Sequence, residues 1–475
     1  MNKKAFLFLL TISFLFTACF EDLDDNEQVA STLDIQNFIY SGLNYYYLYK
    51  SATPELANDA FANQEELNAF LDNYDSPESL FNYLRAPQDR FSILVDDYIA
   101  LENALSGVSR SNGMEYGLVL YPDGSNNVFG YVRYVLPNTS AEAMGLERGE
   151  IFNTVDGQQL VAIPDGNGNL TVDTSVFASE TYTIGLADFD GNDVTPTGES
   201  VTLTKEQYTE NPVFIANTLT IEGQQVGYLM YNSFIRSFAP ELNAAFAQFQ
   251  ADGVTQLIID LRYNGGGSVE TATDLASMIT GQFNGQVFYN EEWNDDRQEE
   301  FASPGLFDSS ISTTGEAINS LNLDQVYFIT SSRTASASEL LINGLTPYID
   351  LNQVGEATTG KYQASFLLYD APAPNFSRNE ANPAHTYAML PLVFKTANVA
   401  GNTDYDNGLQ PDVEISEDFS NLGTLGDPDE PLLAAALNQI FPTRAAPNKN
   451  IPQLEVISES KATSPLYQLM IAEQE

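Results

Sequence analysis

The 475-residue chain has one histidine, one cysteine and one tryptophan, and only 19 lysines and arginines against 65 aspartates and glutamates. Each scarcity closes off a class of chemistry. With His385 alone, a zinc site built from several histidines is impossible, and a Ser-His-Asp triad would have to use an imidazole set in the loop-like stretch Asn382-Pro383-Ala384-His385. A lone Cys19 can form no internal disulfide. The formal charge of -46 repels nucleic acid and anionic headgroups, so no nucleic-acid partner is expected and the acid excess reads as a solvated surface. No cofactor is expected.

What is present is apolar and aromatic material for packed domains, 43% and 12% of the chain, over a length that suggests two or three units. Residues 1–18 read as a signal peptide: Lys3 and Lys4, an apolar run over 5–16, then Thr17-Ala18. That run is short for a membrane span. Cys19 directly after Phe16-Thr17-Ala18 resembles a bacterial lipobox, which implies lipidation of Cys19 as the mature N-terminus; a plain secretory signal with an incidental cysteine is the alternative. Residues 19–32 form an acidic tether resembling the surface-export signal of lipoproteins in Bacteroidetes-like bacteria. The expected location is the cell envelope, as a lipoprotein on the periplasmic or surface face of the outer membrane, touching the membrane through the lipid only.

Residues 33–107 carry helical periodicity, with Phe38, Leu43, Tyr46 and Tyr47 in one stripe and Leu67, Phe70 and Leu71 in the next, broken by Pro87 and the corner Asp89-Arg90-Phe91-Ser92. From 112 to 205 the pattern becomes short β segments separated by Gly, Asn and Asp. Within it, Ser140-Ala141-Glu142-Ala143-Met144-Gly145-Leu146-Glu147-Arg148-Gly149-Glu150-Ile151, followed by Asp156-Gly157, resembles a PDZ domain, with Ser140 expected as a helix N-cap. In that family a peptide C-terminus adds as a strand. The resemblance implies peptide binding at Gly117 and Leu118, although an ordinary first strand is equally open. The clusters Asp165 to Asn169 and Asp188 to Asp193 have a calcium-loop flavour, but hairpin turns are the default and no metal site is assigned.

Residues 206–445 alternate strand and helix: strands over 226–231, 256–261, 325–330 and 354–355, helices over 239–250, 269–280 and 338–345. This predicts a largely parallel sheet covered by helices, with chemistry at the strand C-termini. A further helix is expected over 432–440, and residues 446–475 read as a polar C-terminal tail, poorly ordered at its end.

With histidine scarce and the cysteine acylated, a serine activated by a lysine of lowered pKa is the remaining nucleophile system. Ser336 sits at a strand-to-helix turn where the N–H of Ala337 would face an oxyanion, and the strand ending in Asp260-Leu261-Arg262-Tyr263-Asn264-Gly265-Gly266-Gly267 offers a second donor. Taken alone, Lys361 reads as an exposed loop lysine.

Three motifs in order, Asp260-Leu261-Arg262-x-Asn264-x-Gly266-Gly267, Thr334-Ala335-Ser336-Ala337-Ser338-Glu339 and Gly360-Lys361, resemble the carboxyl-terminal processing peptidases, or tail-specific proteases. The resemblance implies a multidomain α/β fold: a helical N-terminal region, a PDZ-like β-rich domain and a ClpP/crotonase-like α/β protease core. It implies Ser336 as nucleophile, Lys361 as base, Glu339 as an acidic support, and an oxyanion hole from Ala337 with Gly265 or Gly266. Ser338 is the adjacent competitor, placed in the helix start. Two departures stand out: Pro347 occupies the position where some members carry an acidic residue, and Tyr362-Gln363-Ala364-Ser365 replaces the stretch holding a lysine-orienting Gln. Gly408-Leu409-Gln410-Pro411-Asp412 resembles the family's closing segment. The expected function is a serine endopeptidase acting on proteins or peptides with free C-termini. The alternatives are an inactive peptide-binding lipoprotein of the same fold and a Ser/Lys acyl enzyme for a non-peptide amide or ester.

Overall fold

A computed structural model describes residues 29–165, 168–444 and 454–473. The signal segment, Cys19 and most of the acidic tether lie outside the described residues. Among the described residues no helix is long and apolar enough to cross a membrane.

The chain is a multidomain α/β protein. Helices Thr32–Tyr46, Gln64–Leu71, Pro77–Leu84 and Tyr98–Leu105 form the N-terminal region. The first starts where Ser31 and Asp34 cap each other's backbone, a motif that stabilises a helix start by about 1 kcal/mol. It buries Ile35, Phe38, Ile39, Leu43 and Tyr46, a stripe at three- and four-residue spacing. Tyr46 and Tyr47 belong to the core.

The β-rich unit is a seven-stranded sheet. Its main order is Val194–Thr204, Thr181–Phe189, Ile151–Val155, Val128–Val135, Met114–Leu120 and Val456–Glu459, with Gln158–Gln159 paired to Ile151–Val155. The short helix Ser140–Ala143 begins one residue earlier than expected: Thr139 is its N-cap and gives no side-chain cap. The Thr139 hydroxyl instead donates to the Leu136 carbonyl, and Ser140 Oγ accepts from Thr204 N. The Asp188 to Asp193 cluster closes a hairpin, Asp190 Oδ1 accepting from the N–H groups of Asn192 and Asp193.

The core sheet runs Val213–Ile221, Gln224–Tyr231, Gln256–Asp260, Gln325–Thr330, Asp350–Gly355 and Val413–Glu414, parallel throughout except for its first pair. Period-two alternation sends Leu229, Tyr231, Leu257, Ile259, Val326 and Phe328 into the larger core, shared with helices Ala239–Asp252, Val269–Thr280 and Ala337–Leu345. Tyr228, Met230, Ile258, Tyr327, Ile329 and Val354 face the other way, against helix Pro431–Ile440.

Two features differ from the expected pattern. A second six-stranded sheet packs into the larger core, with order Gly267–Ser268, Met470–Ile471, Gln363–Ser365, Leu392–Ala397, Val287–Trp293 and Gly305–Leu306. The end of the chain is not a loose polar tail: Val456–Glu459 joins the β-rich sheet and Met470–Ile471 this second sheet, with Met470 wholly buried.

Candidate active site

Three neighbouring parallel strands, Gln256–Asp260, Gln325–Thr330 and Asp350–Gly355, deliver the three motifs to one end of the core sheet. Their C-terminal extensions are the glycine loop 261–267, the serine turn 331–336 and the lysine loop 356–361. Backbone bonds lace them together: Ala335 N donates to Asn264 O at 3.1 Å, and Thr359 N to Thr334 O at 2.9 Å. Asn264 holds the glycine loop by giving its amide to Tyr231 O and accepting Gly266 N at 2.8 Å.

Ser336 is fully buried and has φ 67°. A side chain in this left-handed region costs of order 1–3 kcal/mol and persists only where its surroundings enforce it. Enforcement comes from Glu339, whose Oε2 accepts the Ser336 N–H at 2.8 Å. The same oxygen accepts the Lys361 N–H at 2.8 Å, so one carboxylate atom clamps the backbones of both residues. Glu339 Oε1 accepts Gly360 N at 2.7 Å and the Thr358 hydroxyl. Burial raises the affinity of this carboxyl for a proton, and the four donors oppose that. Glu339 thus braces the turn and the lysine loop through the main chain, and its bonds go to neither Ser336 Oγ nor Lys361 Nζ.

Lys361 is fully buried, and desolvation pushes its ammonium down to about 7 against the opposing fields of Asp89 and Glu339. Among the described residues, Ser336 Oγ and Lys361 Nζ each lack a hydrogen-bond partner, so the serine and lysine do not bond one another in this state. Ser338 differs: its hydroxyl donates to Asn264 O at 3.3 Å, leaving Ser336 as the free hydroxyl of the pair. His385 uses both ring nitrogens elsewhere. Nδ1 accepts from Tyr387 N and Nε2 meets Asp370 Oδ2 at 2.9 Å, so the imidazole has no bond to Ser336.

Of the expected oxyanion donors, Gly266 N is already given to Asn264, whereas Ala337 N and Gly265 N have no acceptor among the described residues. Gly266 matters through its missing side chain. Its φ is 109°, and a Cβ there would stand 2.6 Å from Ser336 Cβ and from Leu469 O. Pro347 is exposed beyond the end of the serine helix, so no group from that position enters the site. Gln363 gives its amide to Tyr49 Oη, and Ser365 Oγ is buried without a partner among the described residues. The 408–412 segment braces the lysine loop and the strand before it: Leu409 N donates to Thr358 Oγ1, and Asp412 Oδ2 accepts Gln353 N.

Gly117 and Leu118 do not offer a free strand edge. They pair with Tyr131 and Gly130 on one side and with Glu459 and Ser458 on the other, so the chain's own terminal segment fills the place of an added peptide strand. A cavity of about 770 Å³ remains between the β-rich unit and the core, bounded by Glu115, Tyr134, Asn232, Gly265, Gly266 and Lys461. It reaches the glycine loop but is not lined by Ser336. Asn232, 3% exposed, contributes an amide whose two polar atoms find no partner among the described residues.

Two further contributors to the site carry no motif of their own. The corner at Asp89 to Ser92 meets the lysine loop, and the strand Met470–Ile471 holds the glycine loop through Gly267 N to Leu469 O at 2.7 Å. Only the breaker pattern around Pro87 marked the first, and nothing local marked the second.

Comparison with known proteins places parts of the chain beside a peptidase family. Residues 225–372 match the model of peptidase family S41, and residues 34–93 match the peptidase S41 N-terminal domain. Two stretches of the chain are therefore similar to peptidase family S41 domains. The S41 match takes in the glycine loop, the serine turn and Lys361. A carboxyl-terminal-processing protease of Picosynechococcus sp. is 26% identical over 245 residues, 50% of this chain and 52% of that protein. A chloroplastic C-terminal processing peptidase of Tetradesmus obliquus is 25% identical over 318 residues, 64% of this chain and 62% of the relative. The matched region therefore spans between half and two thirds of these relatives' own length. A crystal structure from Bacteroides fragilis, assigned to the S41 proteases, superposes with a TM-score of 0.65 at 24% identity, covering 86% of this chain and 98% of the other, which shows a shared fold.

Proposed function

We propose that this S41 protein is a serine endopeptidase that cleaves proteins near or from their C-termini, with Ser336 as nucleophile and Lys361 as general base. The observation that carries the reading is the shared Glu339 oxygen, which draws a strained, buried serine and a buried lysine of lowered proton affinity onto one anchor. Neutral Lys361 takes the Ser336 proton as Oγ attacks the scissile carbonyl, forming the C–O bond and pushing the electron pair onto the carbonyl oxygen. Ala337 N–H and Gly265 N–H supply hydrogen bonds to that oxyanion. The lysine then returns the proton to the leaving amine, and water activated by the same amine hydrolyses the acyl-enzyme. Both side chains are buried and neither has a hydrogen-bond partner among the described residues, so in this reading the pair closes to hydrogen-bond distance when substrate enters.

The PDZ-like unit takes part as a wall of the 770 Å³ cavity, where a substrate's terminal segment lies beside Asn232 and the glycine loop. This departs from strand addition at Gly117 and Leu118, since that edge is occupied. Lipidation at Cys19 and a place in the cell envelope complete the reading. They are tested by palmitate labelling of cells expressing the chain, which Cys19→Ser must abolish.

The decisive experiment compares the unmutated protein with Ser336→Ala and Lys361→Ala on an unstructured protein substrate. Cleavage lost in both variants, with melting temperatures retained, supports the reading. An unmutated protein that binds a C-terminal peptide and never cleaves it points to the inactive lipoprotein instead. Ser336-dependent turnover of a small ester, with no effect of a peptide C-terminus, points to a non-peptide acyl enzyme.

A further inference from the structure

The N-terminal helical unit reaches the candidate site at one point. Between helices Pro77–Leu84 and Tyr98–Leu105 the chain turns sharply at Asp89, whose carboxylate accepts the N–H groups of Phe91 and Ser92 at 2.9 Å each and the Tyr47 hydroxyl at 2.7 Å. Tyr47 is itself wholly buried and takes Ala86 N at 2.9 Å, so the corner is locked to the first helix. Ser92 Oγ accepts Leu392 N at 2.9 Å, which fixes its far side to the second sheet of the core.

This rigid corner points two side chains at the lysine loop. Arg90 Nη2 donates to the Gly360 carbonyl at 3.0 Å, across 270 residues of sequence. The Phe91 ring lies with its centroid 5.3 Å from Lys361 Nζ and 4.7 Å from the Arg90 guanidinium carbon. Nζ has no hydrogen-bond partner among the described residues, so an aromatic ring is the contact seen at the end of the base. An ammonium at that distance is stabilised by the ring's quadrupole, and neutral amine is not. Gly360 has φ 84° and no room for a side chain, because a Cβ there would stand 2.4 Å from Asp406 O. The peptide that Arg90 grips therefore has little freedom to turn.

We propose that Asp89, Arg90 and Phe91 form a positioning site for the base of the reaction, holding Lys361 in register with Ser336 and stabilising its protonated form. The proposal rests on Lys361 being the base, as inferred above. It assigns the S41 N-terminal domain a part in the chemistry. The proton that Lys361 accepts from Ser336 creates an ammonium in a dry site, and this corner supplies what favours it: the ring face of Phe91 and the negative field of Asp89. Arg90 acts on the backbone, fixing the Gly360–Lys361 peptide from which the side chain projects. The charged groups whose fields act on Lys361 are Asp89 from the corner and Glu339 from the serine helix. Arg90 adds a positive charge at the Gly360 carbonyl.

The test is the pH dependence of Ser336 acylation by a fluorophosphonate probe, measured on the full mature chain from about pH 5 to pH 10. For the unmutated protein the rate rises through an apparent pKa near 7. Asp89→Asn keeps the shape and removes the charge, so the acid limb moves down by about one pH unit. Phe91→Leu keeps the site dry and removes the ring, so the limb moves down by roughly half a unit, and Phe91→Tyr restores it. Arg90→Ala lowers the plateau rate by roughly tenfold with the limb in place, and Arg90→Lys recovers part of the loss. Melting temperatures establish that each variant is folded.

Folded Asp89→Asn and Phe91→Leu proteins whose limbs stay at the unmutated position overturn the proposal, whether or not their plateaus fall. A Lys361→Ala protein that keeps the unmutated profile removes the base itself and overturns the dyad reading. Loss of acylation in Lys361→Ala with unshifted corner variants overturns only the inference drawn here.

Discussion

Replacing Lys361 by Met keeps an unbranched chain of similar volume in a fully buried site and removes the amine. In the unfolded chain the lysine binds its proton up to 10.5, and in the folded chain burial lowers this to about 7. Between those values the unfolded state binds more protons, so the unmutated protein gains stability as pH rises through the window. Below it both states are protonated and the whole cost of the buried ammonium is felt. At 1.36 kcal/mol per unit, the cost approaches roughly 5 kcal/mol near pH 6, about 3 kcal/mol near pH 8.5 and close to nothing above the unfolded value. Lys361→Met is therefore expected to be inactive and more stable than the unmutated protein, with a gain that shrinks as pH rises. Urea denaturation of both proteins at matched pH values reads the difference directly, since groups common to both cancel. A gain that does not vary with pH, or a Met variant that is the less stable protein near pH 6, would refute the argument that burial depresses this lysine.

Three further outcomes follow from the same geometry. Glu339→Gln retains the shape but loses acceptor capacity for its four donors; stability falls by roughly 2–4 kcal/mol in denaturant and probe labelling of Ser336 is lost. Gly266→Ala drives a Cβ into Ser336 Cβ and Leu469 O; the folded protein is expected to lose acylation by about a hundredfold, read as probe labelling against time. Glu459, 7% exposed, is pushed up by burial but held at about 2 by Arg133 and Arg333. Glu459→Ala strands those cations and costs about 3–5 kcal/mol. The contribution of Glu459 is present above 4.5 and is lost as pH falls toward 2, so the gap between variant and unmutated protein narrows in acid.

The helices and central strands were legible because their signals are local. Apolar spacing marked the strand Gln325–Thr330 and the helix Val269–Thr280, and the Ser336 turn announced itself by small residues ahead of an apolar helix. The second sheet was not legible: Val287–Trp293 mixes Asn and Glu with its aromatics, and Gln363–Ser365 is three residues long. Such strands are made by the partners they find, which period-two patterning in a short polar segment does not reveal. The terminal strands were missed for the same reason, and with them the occupation of the Gly117–Leu118 edge.

At the site, the chain's composition alone disfavoured histidine and thiol chemistry, and the resemblance of three short motifs to the tail-specific proteases implied Ser336, Lys361 and Glu339. That information is carried by residue type and by runs of a few residues. Only the tertiary structure decided that Glu339 serves through backbone N–H groups, that Gly266 N is spent on Asn264, and that Phe91 and Arg90 face a loop 270 positions away. The lowered proton affinity of Lys361 belongs to the same class, because desolvation is a property of everything packed around a side chain. A lysine in a glycine-bounded loop reads as exposed until the helical unit, the core sheet and the chain terminus have closed over it.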